Sequence, residues 1–335
     1  MDSFKLKIDA ALSLRRTSYP PRRMVLIHSG TTIGIALLVT LIGQLLQGMI
    51  DSSGGLSSLG HQAVLSTAQS VIQIVQAIAL PFWSAGLIYM GLRIRAERLY
   101  GPSDLLEGFR RWKALLIVGL KMLLQYLIRG LLCVWFATQL LIFTPFASRI
   151  LEAAQIMNTQ PDISLVTALG DAYLPVTITS VCIFSVLFLI LSAPLFYHFR
   201  LVNYLILDDE SSRAGQALFT SRLLMHGRRM ELFKLDLSFW WYYLLKLVSI
   251  VVMLGDVIAG LLGIPLPLDP TLSSWGFLLL GCGMQLGLHV WAQPKVYTTY
   301  AHFYGHIRKA GPLPPKAPKA PKPSQAAPKN VPWSY

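Results

Sequence analysis

The sequence has little charge and few cysteines for its length. Asp, Glu, Lys and Arg make up 13% of its 335 residues, whereas 54% are hydrophobic, and soluble domains carry about twice that share of charge. The three cysteines, Cys133, Cys182 and Cys282, form no C-x-x-C pair, so neither a disulfide framework nor a zinc site is expected. The composition therefore argues against a water-soluble fold.

Catalytic motifs are lacking as well. The sequence contains no Walker A loop, no H-E-x-x-H, no nucleophile elbow and no pair of intramembrane aspartates. These absences argue against an ATP-driven mechanism encoded in this chain and against the usual intramembrane proteases. The sequence predicts a protein that is not an enzyme and that uses no cofactor and no resident metal.

What the chain does contain is a set of six long apolar stretches, each near or above the ~20 residues that a membrane-spanning helix needs. Every backbone group inside lipid must be hydrogen-bonded within the protein, so these stretches are predicted to be helices. The predicted fold class is an all-α, polytopic transmembrane bundle. The stretches are residues 24–50, 64–92, 114–143, 174–199, 237–262 and 274–294.

Basic residues alternate between the segments that connect these stretches. The net charge is +13, from 29 Lys and Arg against 16 Asp and Glu. The leader, the second and fourth loops and the segment after the sixth stretch, from Lys295 onward, hold 25 basic residues, while the other three loops hold only Arg149. Because Lys and Arg concentrate in cytoplasmic loops, we expect six crossings of a bacterial cytoplasmic membrane with both termini in the cytoplasm. The positive charge then reflects membrane insertion, and no nucleic-acid partner is expected.

This organisation predicts a basic cytoplasmic leader (1–23), a six-helix transmembrane domain (24–310) and a cytoplasmic tail (311–335). The tail has eight prolines, four lysines and no acidic residue, so we expect it to be disordered. Segments 101–112 and 208–233 have apolar residues at helical spacing with basic residues on the other face. Each is predicted to be an amphipathic helix that either lies on the anionic lipids of the inner leaflet or packs under the bundle as a connector.

Five polar residues within the apolar stretches form the first candidate site. Lys121, Gln125 and Arg129 are spaced by four and share one helix face. Arg129 lies at mid-bilayer or, if the span begins eight residues later, close to the cytoplasmic surface. Asp256 is the expected partner of Arg129, and Lys246 adds further positive charge. The excess of positive charge suggests an anionic group such as a lipid phosphate or a carboxylate substrate; the alternative is a structural pair with lysines that extend to the surface.

The ends of the fourth and sixth stretches form the second candidate site. In both, a proline is followed by a tyrosine three residues later and by another ten residues later. The second stretch keeps only the proline, Pro81, and this similarity suggests three repeated hairpins. Such ends are either broken helices that line a cavity, as in transporters, or part of the interfacial aromatic belt. The residues of this cytoplasmic-end site are Pro194, Tyr197, Arg200, Tyr204, Pro294, Tyr297 and Tyr304.

Two weaker patterns receive plainer interpretations. His302 and His306 are one helical turn apart, but without a third ligand they are interpreted as polar surface. G-x-x-x-G steps in the first and sixth stretches predict close helix packing within the bundle rather than dimerisation. These steps are formed by Gly30 with Gly34 and by Gly283 with Gly287.

The second half of the chain resembles a known bacterial family. The stretches YLILDDESS, ALFTSRLLMHGRRMELFKLDLSFWWYYL and PKVYTTYAHFYGHI are similar to the signature of the integral membrane family called domain of unknown function 975. A weaker match, LLEGFRRW, extends the resemblance to most of residues 60–308. The resemblance implies a six-helix protein of the cytoplasmic membrane without an assigned activity. The matching positions are Ala217, Leu218, Ser221, Leu224, Met225, Gly227, Phe233, Leu235, Leu237, Ser238, Phe239, Tyr297, Thr299, Ala301, Phe303 and Tyr304.

Two functional hypotheses follow. The first is a scaffold or accessory component of an envelope system, whose partners are the lipid bilayer, the anionic inner-leaflet lipids and another membrane protein. The second is a transporter or binder of a lipid or a small anion that uses the polar residues around Arg129. Replacement of Arg129 by Leu distinguishes the two hypotheses. A transporter or binder should lose substrate binding while remaining folded, whereas the function of a scaffold should not change.

Overall fold

The structure, a computed structural model, describes residues 3–52, 58–159, 167, 169–209, 213–261 and 270–311. Within these ranges the chain is helical except for short turns and contains no β-strand, which confirms the all-α class. The predicted tail lies outside the described residues apart from Gly311. The α-helices are α1 (Ser3–Arg15), α2 (Pro21–Ser52), α3 (Ser58–Arg95), α4 (Glu107–Arg110), α5 (Trp112–Leu141), α6 (Ala147–Thr159), α7 (Tyr173–Phe199), α8 (Val202–Asp208), α9 (Ala214–Met225), α10 (Arg229–Leu237), α11 (Trp240–Met253), α12 (Gly255–Leu261) and α13 (Pro270–Ala310).

Five helical segments in the described part of the chain are long and apolar enough to cross a membrane. The chain is therefore a multi-pass helical membrane protein. The longest helix, α13, has 41 residues, or about 61 Å at 1.5 Å per residue, which is twice the ~30 Å of a bilayer core. Part of α13 therefore extends beyond the hydrocarbon core of the bilayer. The five segments are Pro21–Leu45, Ser70–Arg95, Trp112–Leu141, Gly170–Asp208 and Leu272–Ala310.

The fifth predicted stretch, 237–262, is broken rather than continuous. Helices α10 and α11 meet at an angle of 59°, and α11 ends at Met253, before α12 begins at Gly255. A Cβ on Gly255 would lie 2.6 Å from the ring of Phe277, so the glycine allows α13 to approach closely at this break. The described helices provide five spans, or six when the bent pair counts as one.

The long helices form two groups. Helices α2, α3, α11 and α13 pack together as a four-helix group, and α5 packs on α7 as a two-helix group. Among the described residues, no helix of one group packs along a helix of the other; instead, α8 packs on α3, and α9 packs on both α5 and α7. The two groups are therefore joined mainly at one end, where the basic segments lie. We call it the basic end.

The packed core of the protein lies at this basic end. Its largest fully buried side chains include Leu87, Leu207, Met225, Phe303 and Tyr304. By contrast, only 6% to 28% of the residues in the most apolar part of each of the five spans are buried. The apolar surface of the spans is thus available to lipid, while the basic end contains a core of fully buried side chains.

Two glycines allow the connection between α3 and α5 to dock on α3. A Cβ on Gly108 would lie 1.9 Å from the carbonyl oxygen of Phe82, and one on Gly86 would lie 2.3 Å from that of Leu105. The predicted segment 101–112 forms here a 3₁₀ turn followed by α4. It is therefore a connector that packs under the bundle.

The second amphipathic segment also packs on the protein. The face of α9 that contains Ala214, Leu218 and Met225 is buried, because it packs on α7 and α8. Its opposite face exposes Phe219 and Leu223. The connector interpretation is thus confirmed for the apolar face, and two apolar side chains remain open to a membrane surface.

The leader folds back on the same end. Helix α1 packs along α13, and Lys7 donates a hydrogen bond to the carbonyl oxygen of Ser238 at 2.8 Å. The ammonium of Lys7 lies 4.4 Å from the centre of the Phe239 ring, and burial lowers the pKa of Lys7. The N-terminal segment is thus part of the folded basic end.

The packing predicted for the G-x-x-x-G steps is wrong. No heavy atom of the described residues outside the local helix backbone lies within 4 Å of a Cβ built on any of the four glycines. Although α2 and α13 pack on each other, they do so through other faces. The glycines concerned are Gly30, Gly34, Gly283 and Gly287.

Candidate functional site

The residues predicted at the cytoplasmic-end site come together at the basic end. The guanidinium of Arg200 lies 4.7 Å from the centre of the Tyr300 ring, and the rings of Tyr204 and Tyr304 stack with their centres 5.7 Å apart. Tyr197 and Tyr297 also interact electrostatically with Arg200. We call these five tyrosines the tyrosine cluster; four of them lie around Arg200, and Tyr304 joins them through Tyr204.

Hydrogen bonds tie the tyrosine cluster to two aspartates. Tyr304 donates to Asp208 at 2.9 Å, and Tyr300 donates to Asp236. Asp208 also forms an ion pair with Arg308. Because Tyr304, Tyr300 and Tyr204 are 0%, 2% and 4% exposed, packed side chains fill this region. Pro194 and Pro294 lie inside continuous helices, and the chain turns only after Phe199, at Arg200.

The predicted intramembrane site is divided between the two helix groups. In the two-helix group, Lys121 is exposed, Gln125 accepts a hydrogen bond from Arg222 at 3.4 Å, and Arg129 donates to the carbonyl oxygen of Leu191 at 2.9 Å. Pro194 has no N–H, so the carbonyl oxygen of Ile190 lacks its helical hydrogen-bond partner. The carbonyl that Arg129 binds belongs to the next residue.

The other two predicted residues face α13. Asp256 forms a side-chain hydrogen bond with Ser274, and Lys246 interacts electrostatically with His289. The expected pair between Arg129 and Asp256 is absent from the ion pairs of the described residues. The physical reason is that α5 packs on α7, whereas α12 packs on α13.

A cluster of basic side chains surrounds His198, near the end of α7. Arg229 of α10 contacts the His198 ring, and the charges of Arg129, Arg222 and His226 also act on it. We call these five residues the basic cluster. Arg222 further lies over the Phe199 ring, with its guanidinium carbon 5.0 Å from the ring centre. Side chains from α5, α7, α9 and α10, together with the turn that follows α9, thus lie around the last two turns of α7.

The arginines of the basic cluster form no ion pair with an acidic side chain among the described residues. None of their ion pairs, defined by a nitrogen–oxygen distance of at most 4.0 Å, includes Arg129, Arg222 or Arg229. Elsewhere at the basic end, acids do pair: Glu107 holds Arg111 at 2.9 Å. Grouped cations without an acid repel one another, and an anion bound between them would relieve that repulsion.

The segment that follows α7 contacts the end of α13 at positions that are 100 apart in the sequence. Arg200 meets Tyr300, Tyr204 meets Tyr304, and Asp208 meets Arg308. Arg129 lies about two helical turns of α7 before this segment, because it is hydrogen-bonded at Leu191.

Most of the basic cluster was not predicted from the sequence. His198 stands in an apolar stretch, and the arginines come from separate segments of the chain. One signal was available, because Arg222, His226 and Arg229 are spaced by four and three residues, although the turn after Met225 interrupts the helix.

His302 is hydrogen-bonded to Ser13 at 2.9 Å. No group of three metal-ligating side chains occurs in the described ranges.

A separate groove of about 650 Å³ lies between α2 and α3. Its walls are largely apolar and are formed mostly by these two membrane-spanning helices. Polar atoms come from threonines of α2 and glutamines of α3. The side chains that line it include Thr31, Thr32, Gln73, Gln76, Trp83 and Phe109.

Comparison with known proteins identifies one family. The family model described as "Protein of unknown function (DUF975)" matches residues 13–311. This match confirms the resemblance seen in the sequence and extends it to both ends of the helical domain. No curated protein and no solved structure matches the chain.

Proposed function

We propose that this chain, which belongs to the DUF975 family, whose description names no activity, is a multi-pass protein of the bacterial cytoplasmic membrane. Its proposed ligand is an anionic phospholipid of the inner leaflet. The headgroup phosphate binds at the basic cluster. The acyl chains of the phospholipid follow the apolar surface of the two-helix group. This proposal develops the second of the two functional hypotheses, and a scaffold without a ligand is the competing account.

The observation that carries the proposal is that Arg129, Arg222 and Arg229 all lie along the last two turns of α7 and form no ion pair within the described residues. Guanidinium groups bind phosphate oxygens through charge-assisted, often bidentate hydrogen bonds. A phosphate that replaces bulk water at this place offsets the mutual repulsion of three cations. A site for a neutral ligand would gain nothing from such an arrangement.

The surroundings of the basic cluster suit a lipid better than a soluble anion. The exposed side chains of Phe219 and Leu223 stand on the same helix as Arg222. On α5, the residues that follow Arg129, such as Leu131 and Val134, are exposed and apolar. The cluster thus has an apolar surface on its membrane side, which matches the amphipathic character of a phospholipid.

The proposed topology has six crossings and two cytoplasmic termini. It is supported by the alternation of basic segments and by the length of α11 and α12, which together measure about 32 Å at 1.5 Å per residue. In this topology the basic end is cytoplasmic, and α10 lies at the inner surface. The three repeated hairpins remain a prediction from the proline–tyrosine pattern.

The test is a titration of delipidated protein in detergent with phosphatidylglycerol, with phosphatidylcholine of equal chain length as the neutral comparison. We expect tight binding of phosphatidylglycerol only, and a loss of about fivefold in affinity for each of R129Q, R222Q and R229Q, since a basic residue near a membrane surface contributes about 1 kcal/mol. Increasing salt should weaken binding to the wild type more than to the variants.

The matched control is R149Q. Arg149 is an exposed arginine of α6 that pairs with Glu152 at 3.5 Å, so its replacement removes one charge without touching the basic cluster. Equal binding of both lipids, or equal affinities for R149Q and the three cluster variants, would show that the basic cluster is not a lipid site and would favour the scaffold.

A further inference from the structure

A pair of histidines lies between α2 and α13, away from the basic cluster. The hydroxyl of Ser29 lies 3.2 Å from Nδ1 of His289, and the neighbouring His28 interacts electrostatically with the same ring. His28 is only 7% exposed. The two imidazoles thus occupy a helix–helix contact inside the four-helix group.

Trp83 of α3 covers His28. The two rings are stacked, with their centres 5.4 Å apart and their planes 10° from parallel. The indole N–H of Trp83 also donates to the backbone carbonyl of His28 at 3.2 Å. The ring of His28 is therefore held in a fixed orientation, and Trp83 is a spectroscopic probe in direct contact with it.

Three nitrogens of this pair have no hydrogen-bond partner among the described residues. They are both ring nitrogens of His28 and Nε2 of His289, and all three are buried. An unsatisfied buried polar atom costs about 1–3 kcal/mol. Each imidazole therefore has at least one buried ring nitrogen without a partner, and a neutral imidazole can accept one proton.

The charged groups that face the pair are few. From α11, Lys246 acts on His289, and α3 presents only the uncharged Trp83. The nearest acid of the neighbouring 3₁₀ turn, Asp104, is paired with Arg93 at 3.8 Å. On α2 itself, Arg22 and Arg23 lie more than a turn before His28 and are exposed. No carboxylate of the described residues pairs with either imidazole.

We propose that His28 and His289 form a proton-binding site that controls the contact of α2 with α13. A solvent hydronium ion gives its proton to the unprotonated ring nitrogen of one imidazole; its O–H bond breaks, an N–H bond forms, and water is released. The resulting charge is buried beside the ammonium of Lys246 and has no anion to balance it. Proton uptake therefore loosens the contacts that α13 makes with α2 and α11.

Four histidines elsewhere in the chain differ from this pair. His302 is bonded to Ser13, His198 contacts Arg229, and His226 and His306 are exposed. His306 is thus a matched control, since its titration should have no effect on the α2–α13 contact.

The experiment is a pH titration of tryptophan fluorescence, from about pH 8 to about pH 3, on the wild type and on W83F. The difference between the two isolates the Trp83 signal. Because an imidazolium quenches a stacked indole, we expect this signal to fall with a single midpoint. The same midpoint is expected in H306Q, and no transition is expected in the double variant H28Q/H289Q. For each variant, the Trp83 signal is the difference between the fluorescence with Trp83 present and the fluorescence with W83F added.

Lys246 provides the decisive comparison. Replacing it with Gln removes a positive charge next to the site, so K246Q should raise the pH midpoint by about one unit. An unchanged midpoint in K246Q, or a transition that persists in H28Q/H289Q, would overturn the proposal. If H28Q/H289Q fails to fold, the K246Q shift alone decides, because that substitution leaves both imidazoles in place.

Discussion

The ring of Tyr204 stacks on the ring of Tyr304, with the ring centres 5.7 Å apart. The first ring stands on α8 and the second on α13, so this contact joins the chain that leaves the two-helix group to the four-helix group. The hydroxyl of Tyr304 also donates to Asp208, at 2.9 Å. Because the two groups do not pack along each other within the described ranges, the tyrosine cluster is one of the few connections between them.

Replacing Tyr304 by Ala should therefore destabilise the protein strongly. Tyr304 is 0% exposed, and truncation of a buried aromatic side chain costs about 3–5 kcal/mol. The measurement is thermal unfolding in detergent, with F143A as control, since Phe143 is 84% exposed. A melting temperature for Y304A as high as that of F143A would show that the tyrosine cluster does not hold the two groups together.

A methyl group at Gly108 should disrupt the connection between α3 and α5. The added Cβ would lie 1.9 Å from the carbonyl oxygen of Phe82, and a backbone atom cannot move aside as a flexible side chain can. We expect G108A to lose several kcal/mol of stability or to fail to accumulate.

The matched control for this change is G119A. No heavy atom outside the local helix backbone lies within 4 Å of a Cβ built on Gly119, and Ala is favoured over Gly in a helix by about 1 kcal/mol. G119A should therefore be as stable as the wild type or slightly more stable. If G108A behaves like G119A, the turn does not dock on α3 as described.

The number of crossings can be measured by cysteine labelling of a variant whose three native cysteines are replaced. In the six-crossing topology, an impermeant maleimide should label F143C and T271C in intact cells, but S18C and M230C only after lysis. The decisive position is Thr271, at the start of α13. Labelling of T271C only after lysis would mean that α10 and α11 form a re-entrant loop and that the chain crosses five times.

The sequence predicted well those features that depend on local composition. Apolar length located the spans, and the proline–tyrosine spacing grouped Tyr204 with Tyr304 before any contact was known. What it did not predict is that these side chains pack tightly, because a spacing identifies a shared position but not the neighbours that fill the space around it.

The basic cluster and the break in the fifth stretch were beyond such reasoning. Arg129 was predicted to pair with Asp256 because Asp256 is the only acid in the apolar stretches, but the choice of partner depends on which helices pack together. Gly255 lies inside a continuous apolar run, and its role becomes visible only through the ring of Phe277 that approaches it. Both features arise from tertiary packing, which a linear pattern does not encode.

The most direct test of the account is native mass spectrometry of the protein purified from its membrane in mild detergent. The account predicts one retained phospholipid per chain, enriched in anionic headgroups relative to the source membrane, in the wild type and in R149Q. It predicts loss of that lipid in the folded double variant R222Q/R229Q. Retention of the same lipid in R222Q/R229Q, or retention of neutral lipids without preference, would contradict the assignment of the basic cluster as a lipid site.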